Sequence, residues 1–144
     1  MSPRVLASVD FSDCSEYALS VAADWAKAHR ATLHLLHVHP VVDVATMDFS
    51  TVQPTDRLDT IVSSLERQLE AWSRKVALPA QQVQQEVALG APVEEIIKRS
   101  QQSVLVVLGT HGRSGVSRFL LGSVAERVVQ GAACSVFIAK RPAG

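Results

Sequence analysis

Val104-Leu105-Val106-Val107-Leu108-Gly109-Thr110-His111-Gly112 runs from an apolar stretch into a glycine loop, and Gly122-Ser123-Val124-Ala125-Glu126-Arg127-Val128-Val129 leaves that loop as an amphipathic stretch. Five apolar residues ending at a glycine predict a fully buried strand over Val104–Leu108. Val124, Val128, Val129 and Ala132 recur at helical spacing and predict a helix that starts near Ser123, with these residues on its inner face. A buried strand, a glycine turn and a helix in succession form most of a βαβ unit.

The same alternation extends in both directions. Arg4 to Val9 is a short apolar run between Pro3 and Asp10 and predicts a buried strand. Asp13-x-x-Glu16 predicts a capping box that opens a helix with Ala18, Val21, Ala22 and Trp25 inward. Thr32 to Val38 predicts a second strand, stopped by Pro40. Pro40 to Thr55 has no clean period and predicts a loop. Leu58, Ile61, Leu65, Leu69, Trp72 and Val76 then mark a long amphipathic helix before Pro79. Val83 to Leu89 mixes glutamine and glutamate with valine, which suits an edge strand. Pro92 fits the first position of a short helix with Val93, Ile96 and Ile97 inward. Ser135 to Ala139 predicts the last strand. Strands alternating with helices imply an α/β fold with an open five-stranded parallel sheet and helices on both faces. One domain over residues 1–144 is the expectation.

Composition narrows function. The chain has 144 residues, 47% apolar and 19% charged, with zero formal net charge. That balance gives no reason for nucleic-acid or anionic-membrane binding. No apolar run approaches the roughly 18 residues of a membrane span, and the stretch from Met1-Ser2-Pro3-Arg4 into the first strand shows no secretory h-region or small-residue cleavage site. The expected location is cytoplasmic. Cys14 and Cys134 form no C-x-x-C pair and read as buried thiols in a reducing compartment. No metal site is expected, since His34, His37 and His39 lack a completing ligand.

In such sheets ligands bind beyond the carboxyl ends of the strands, where the strand order reverses. The first strand ends at Val9-Asp10-Phe11-Ser12 and the fourth at Leu108-Gly109-Thr110-His111-Gly112. If these strands are neighbours, their ends form one crevice. Four of the seven glycines lie between Gly109 and Gly122. Glycine lets an anion approach backbone amides, and the helix that follows offers unpaired N–H groups and a positive dipole end. From Ile96 to Ala125 there is no Asp or Glu, while Lys98, Arg99, Arg113 and Arg118 are basic. A phosphate site is one reading. In the other, Gly109 and Gly112 only turn the chain, Ser123-x-x-Glu126 is a capping box, and the arginines are solvated. No G-K-[ST] follows the glycines, and no G-x-G-x-x-G follows the first strand.

Gly109-x-x-Gly112, nine residues, then Gly122-Ser123 resembles the ATP-binding signature of the universal stress protein family. Val9-Asp10-Phe11-Ser12, Leu36-His37-Val38-His39-Pro40 and Gly90-Ala91-Pro92 resemble that family's other strand ends and turns, so the likeness covers nearly the whole chain. It implies a Rossmann-like fold of the adenine nucleotide alpha hydrolase-like kind. It also implies that Val9 and Asp10 face the nucleoside and that Val38 meets adenine through its backbone. Leu108 and Gly109 then line the ribose, and Gly112, Gly122, Ser123 and Val124 hold the phosphates. Arg113, by its position, is expected to neutralise phosphate charge. ATP is the implied ligand, with Mg²⁺ held mostly by phosphate and water. The resemblance further implies a homodimer through the last strand, Ser135 to Ala139. Ala139-Lys140 departs from the more usual valine run there.

Three functions follow: an ATP-binding stress or signalling protein, a nucleotide-independent interaction module of the same family, and a slow ATPase. His111 is the one titrating group in the loop suited to hydrolysis, and phosphoryl transfer needs more than that. No catalytic residue is therefore assigned.

Overall fold

The computed structural model describes residues 2–41, 54–111 and 121–142. In chain order the elements are β1 (Arg4–Ser8), α1 (Asp13–His29), β2 (Thr32–His39), α2 (Pro54–Ser73), β3 (Val83–Leu89), α3 (Pro92–Ser100), β4 (Leu105–Gly109), α4 (Ser123–Gly131) and β5 (Ser135–Ala139). A single 3₁₀ turn, Ala80–Gln82, precedes β3. The strands pair in parallel in the order β3-β2-β1-β4-β5.

The chain therefore winds outward from β1 to β3 and then returns to the other side of β1. Right-handed crossovers place α1 and α2 on one face and α3 and α4 on the other. Side-chain alternation along the strands builds the two cores. Val5, Ala7, Leu33, Leu35 and Val107 pack against α1 and Leu69 of α2. Leu6, Leu36, Val38, Val106 and Leu108 pack against Val93 and Ile96 of α3 and Ala125 and Val128 of α4. β1 is covered on both faces and paired on both edges, so its apolar run carries no alternation.

α1 meets the sheet through Ala18, Ala22, Ala23 and Ala26, whose small side chains allow a close approach. The approach is close at Gly109. A Cβ there would stand 2.9 Å from both the carbonyl carbon and the oxygen of Cys14. This glycine has a packing role at the α1–β4 contact, independent of any ligand.

Some sequence expectations are corrected. Ser12 caps α1: it is extended, and its side chain accepts the Ser15 N–H at 3.2 Å. Asp13 and Glu16 instead occupy the first turn, where the dipole favours their charge. Ser123 does not cap α4. The cap is Gly122, with no side-chain bond, because a side chain already inside the first turn is past the position that reaches the free amides. The inner face of α4 is Ala125 and Val128, whereas Val124 and Val129 are 38% and 49% exposed. Both cysteines are half-buried and unbridged, not fully buried. Arg30 ends α1 in the left-handed region at φ 53°, where its N–H reaches back to Ala26 and Lys27.

Candidate functional site

β1 and β4 pair directly, with Val5 opposite Leu105 and Ala7 opposite Val107. Their carboxyl ends therefore meet where the sheet order reverses, the place an open α/β sheet reserves for ligands. A cleft of about 850 Å³ opens there. Val9, Asp10, Val38, Leu108, Gly109, Gly122, Ser123 and Val124 all line it. Gly112 and Arg113 lie outside the described residues.

The β1 end is tightly organised. Val9 donates its N–H to the Leu36 carbonyl at 2.8 Å. The Val9 carbonyl accepts from His37 Nδ1 at 2.7 Å. A carbonyl can only accept, so Nδ1 carries the proton. Asp10 Oδ1 accepts the Ser12 N–H at 3.0 Å, and Asp10 N–H donates to Ser15 Oγ at 3.3 Å. The Asp10 carboxylate is thereby fixed at the cleft wall by the same residues that cap α1. Between Asp10 and Ser12, Phe11 sits in the left-handed region at φ 64°.

The β2 end supplies directed backbone. Hydrogen-bonding direction alternates along a strand, and Leu36 points its carbonyl toward the β1 side. Val38 therefore turns its amide and carbonyl to that same side, beyond Ser8, the last residue of β1. The Val38 side chain is buried in the α3–α4 core, so its backbone is what it can offer a ligand.

At the opposite wall, α4 begins. Gly122 donates its amide to the Thr110 carbonyl at 2.7 Å, which ties the start of α4 to the β4 end. The amides of Ser123, Val124 and Ala125 then have no partner within the helix and form its positive end. His111 also lines the cleft, and its buried Nδ1 has no hydrogen-bond partner among the described residues.

The basic stretch expected from sequence divides in the fold. Arg99 is committed elsewhere: it pairs with Glu86 of β3 and, at 2.6 Å, with Glu95 of its own helix. Lys98 is exposed and does not line the cleft. The cleft wall carries two carboxylates, Asp10 and Glu126, and no Lys or Arg among the described residues. Arg113 and Arg118 lie outside those residues.

Sequence reading missed the lining residues Phe11, His37, Pro92 and Ile96. The Asp10-x-Ser12 pairing was a usable turn signal, but nothing in the sequence marked His37 as facing the β1 end.

A second polar cluster lies under α3. His34 Nε2 meets Glu86 Oε2 at 2.8 Å. Hydrogen bonding to Arg99 holds the Glu86 carboxyl down at about 2, well below its ordinary range. Burial pushes the His34 imidazole below its usual value, against the pull of Glu86. His34 Nδ1 is buried without a hydrogen-bond partner. The cluster pins α3 to the sheet, and α3 carries two cleft residues, Pro92 and Ile96.

Residues 1–140 match the universal stress protein family. The chain belongs to that family. YxiE of Bacillus subtilis, a universal stress protein, is 31% identical over 148 residues, covering 97% of this chain and 100% of its own. The Mycobacterium tuberculosis universal stress protein Rv2005c is 34% identical over 142 residues, covering 95% of this chain and 45% of its own. The chain thus spans about half the length of the mycobacterial relatives it matches. Among solved structures, the hypothetical protein MJ0577 superposes with a TM-score of 0.81 at 22% identity, covering 100% of this chain and 99% of that one. A universal stress protein in complex with cAMP superposes at 0.70, with 21% identity and coverages of 95% and 96%. One from Archaeoglobus fulgidus in complex with dAMP superposes at 0.63, with 20% identity and coverages of 96% and 97%. Among the described residues, no helix of this universal stress protein is long and apolar enough to cross a membrane.

Proposed function

We propose that the cleft at the β1 and β4 ends binds an adenine nucleotide, and that the glycine pattern selects ATP within that class. The observation that carries the reading is the junction itself. One continuous cleft joins an anchored carboxylate (Asp10), an outward-turned strand backbone (Val38) and a helix N-terminus (Ser123, Val124). These are the partners a ribose, a purine edge and a phosphate require. Leu108 and Gly109 floor the sugar. The Ser123, Val124 and Ala125 amides receive the phosphates, since the Gly122 amide is already bonded to Thr110. Gly112 and Arg113 join them from the glycine loop. His111 Nδ1 gains a partner when phosphate or ribose oxygen arrives. Two relatives of the same fold were solved with cAMP and dAMP, which agrees with an adenine-nucleotide ligand.

Mg²⁺ accompanies ATP, held by phosphate oxygens and water. Among the described residues no group of three or more His, Cys, Asp or Glu side chains gathers to hold a metal directly. We assign no catalytic residue. The role proposed is a nucleotide-dependent stress or signalling protein in the cytoplasm, where unbridged Cys14 and Cys134 stay reduced. The domain proposed is the whole of residues 1–144.

A second copy is the proposed partner of β5. β5 is one of the two outer strands of the sheet, and Phe137 on it is 47% exposed. An open apolar edge invites a pairing strand. Light scattering on the purified protein tests this: a dimer that Phe137→Lys converts to monomer supports it, and a wild-type monomer at high concentration refutes it.

The nucleotide reading is tested by calorimetric titration of nucleotide-free protein with ATP and magnesium. Saturation near one site per chain is expected. Gly122→Val should abolish it, and unchanged affinity in that variant would sink the site assignment.

A further inference from the structure

Only two non-glycine residues among those described have positive φ, Phe11 and Arg30. Arg30 is explained as the end of α1. Phe11 has no such explanation. A residue with a Cβ is disfavoured in the left-handed region, and such strain persists only where surrounding contacts over-determine it. Those contacts are visible. The Phe11 ring lies 4.6 Å from the His37 ring, tilted by 31°. It also meets Trp72 of α2 edge-on at 5.2 Å, with an interplanar angle of 85°.

Trp72 is itself held from outside. Lys75 Nζ stands 4.8 Å from the Trp72 ring and bonds Glu16 of α1 at 2.9 Å. Lys75, Trp72, Phe11 and His37 thus form one column from the exposed α1–α2 surface to the β1 end. His37 closes it by donating to the Val9 carbonyl. Phe11 adjoins Asp10, whose carboxylate orients the Ser12 amide. Trp72 does not line the cleft.

We infer that Phe11 and Trp72 are positioning residues for the ligand site: Trp72 locks the Phe11 ring, the locked ring keeps residue 11 left-handed, and that turn sets Asp10 in its binding orientation. The inference rests on the nucleotide reading proposed above. α2 thereby governs affinity at a site that Trp72 does not touch.

The test is a double-mutant cycle on ATP-magnesium affinity, measured by calorimetry in the wild type, Trp72→Leu, Phe11→Gly and the double variant. Thermal melts on each confirm folding. Trp72→Leu should weaken affinity by up to about tenfold, the order of the left-handed penalty it leaves uncompensated. Glycine adopts that conformation without steric cost. In the Phe11→Gly background, Trp72→Leu should therefore change affinity by less than about twofold. If Trp72→Leu weakens binding equally in both backgrounds, or leaves wild-type affinity unchanged, the inference is overturned. Where Trp72→Leu fails to fold, Trp72→Phe takes its place in the cycle, with a smaller effect of the same pattern expected. Absence of binding in the folded wild type refutes the nucleotide reading itself, and binding without coupling refutes only the positioning role.

Discussion

Adding one methyl group at Gly109 should destabilise the protein where the same change at Gly131 should not. A Cβ at Gly109 would meet the Cys14 carbonyl carbon and oxygen at 2.9 Å and the Cys14 Cβ at 3.1 Å. Two of those atoms are backbone in the first turn of α1, so no rotamer change can clear them. α1 must retreat from β4 by roughly half an ångström, and close-packed interiors resist such shifts. Overpacking of this kind costs about 1–3 kcal/mol. For a chain of this size that corresponds to a fall in Tm of about 4–10 °C. At Gly131 the added Cβ would meet Ile97 Cδ1 at 2.5 Å, the far end of a flexible side chain that can turn aside. Gly131 is also the last helical residue of α4, where alanine is favoured over glycine by up to about 1 kcal/mol. Gly131→Ala should therefore be neutral or slightly stabilising. Paired urea melts of the two variants give the comparison. Equal stabilities within about 0.5 kcal/mol would refute the account of Gly109 as a contact glycine. Cys14→Ala should not rescue Gly109→Ala, because the clashing atoms remain.

Other expectations follow from the same geometry. Ser12→Ala removes the α1 cap and should cost about 1 kcal/mol of stability in denaturant melts, whereas Ser123→Ala, which removes no cap, should stay within about 0.5 kcal/mol yet weaken ATP binding several-fold, because the proposed site also uses the Ser123 hydroxyl on phosphate. Arg99→Ala strips Glu86 of its main partner and should destabilise by about 1–3 kcal/mol, less in high salt because the cluster is partly exposed. The folded-state value of His34 lies below its unfolded value, so the unfolded chain takes up the proton first; stability should fall as pH drops from about 6.5 toward that lower value, and His34→Gln should flatten this part of the pH profile. The Glu86 contribution is present above its ordinary value of 4.5 and should disappear as pH falls through about 2, which Glu86→Gln would remove from acid-unfolding curves.

Much of this was legible in the chain. Val104–Leu108 and Val83–Leu89 announced a buried strand and an edge strand because a strand paired on both sides is apolar throughout, whereas the outer β3 keeps exposed polar side chains such as Gln84 and Gln85; Val104 itself is 49% exposed and precedes β4. The neighbouring of β1 and β4 was not legible, since strand order depends on pairing energies between segments about 100 residues apart. Helix caps were read one residue late, at Asp13 and Ser123, because Ser, Asp and Glu near a helix start fit several caps equally and only φ/ψ decides. The basic stretch misled for a related reason. Arg99 looked available until the fold brought Glu86 and Glu95 to it. Val124 and Val129 fit a helical stripe, yet a nine-residue helix over the β4–β5 side of the sheet buries little beyond Ala125 and Val128. Phe11 was invisible, since a bulky aromatic carries none of the signal for a left-handed backbone that Gly, Asn or Asp carries.

The central place of β1 has a consequence for how the protein is made. Val5 pairs with Leu33 on one edge and with Leu105 on the other. During synthesis the first partner emerges soon after β1, and the second only about 100 residues later. At about 5–20 residues per second, β1 waits some 5–20 s with one edge bare. Nascent chains on neighbouring ribosomes offer the same bare edge over that interval. Slowing translation between β3 and β4 should therefore lower the soluble yield more than an equal pause after β5.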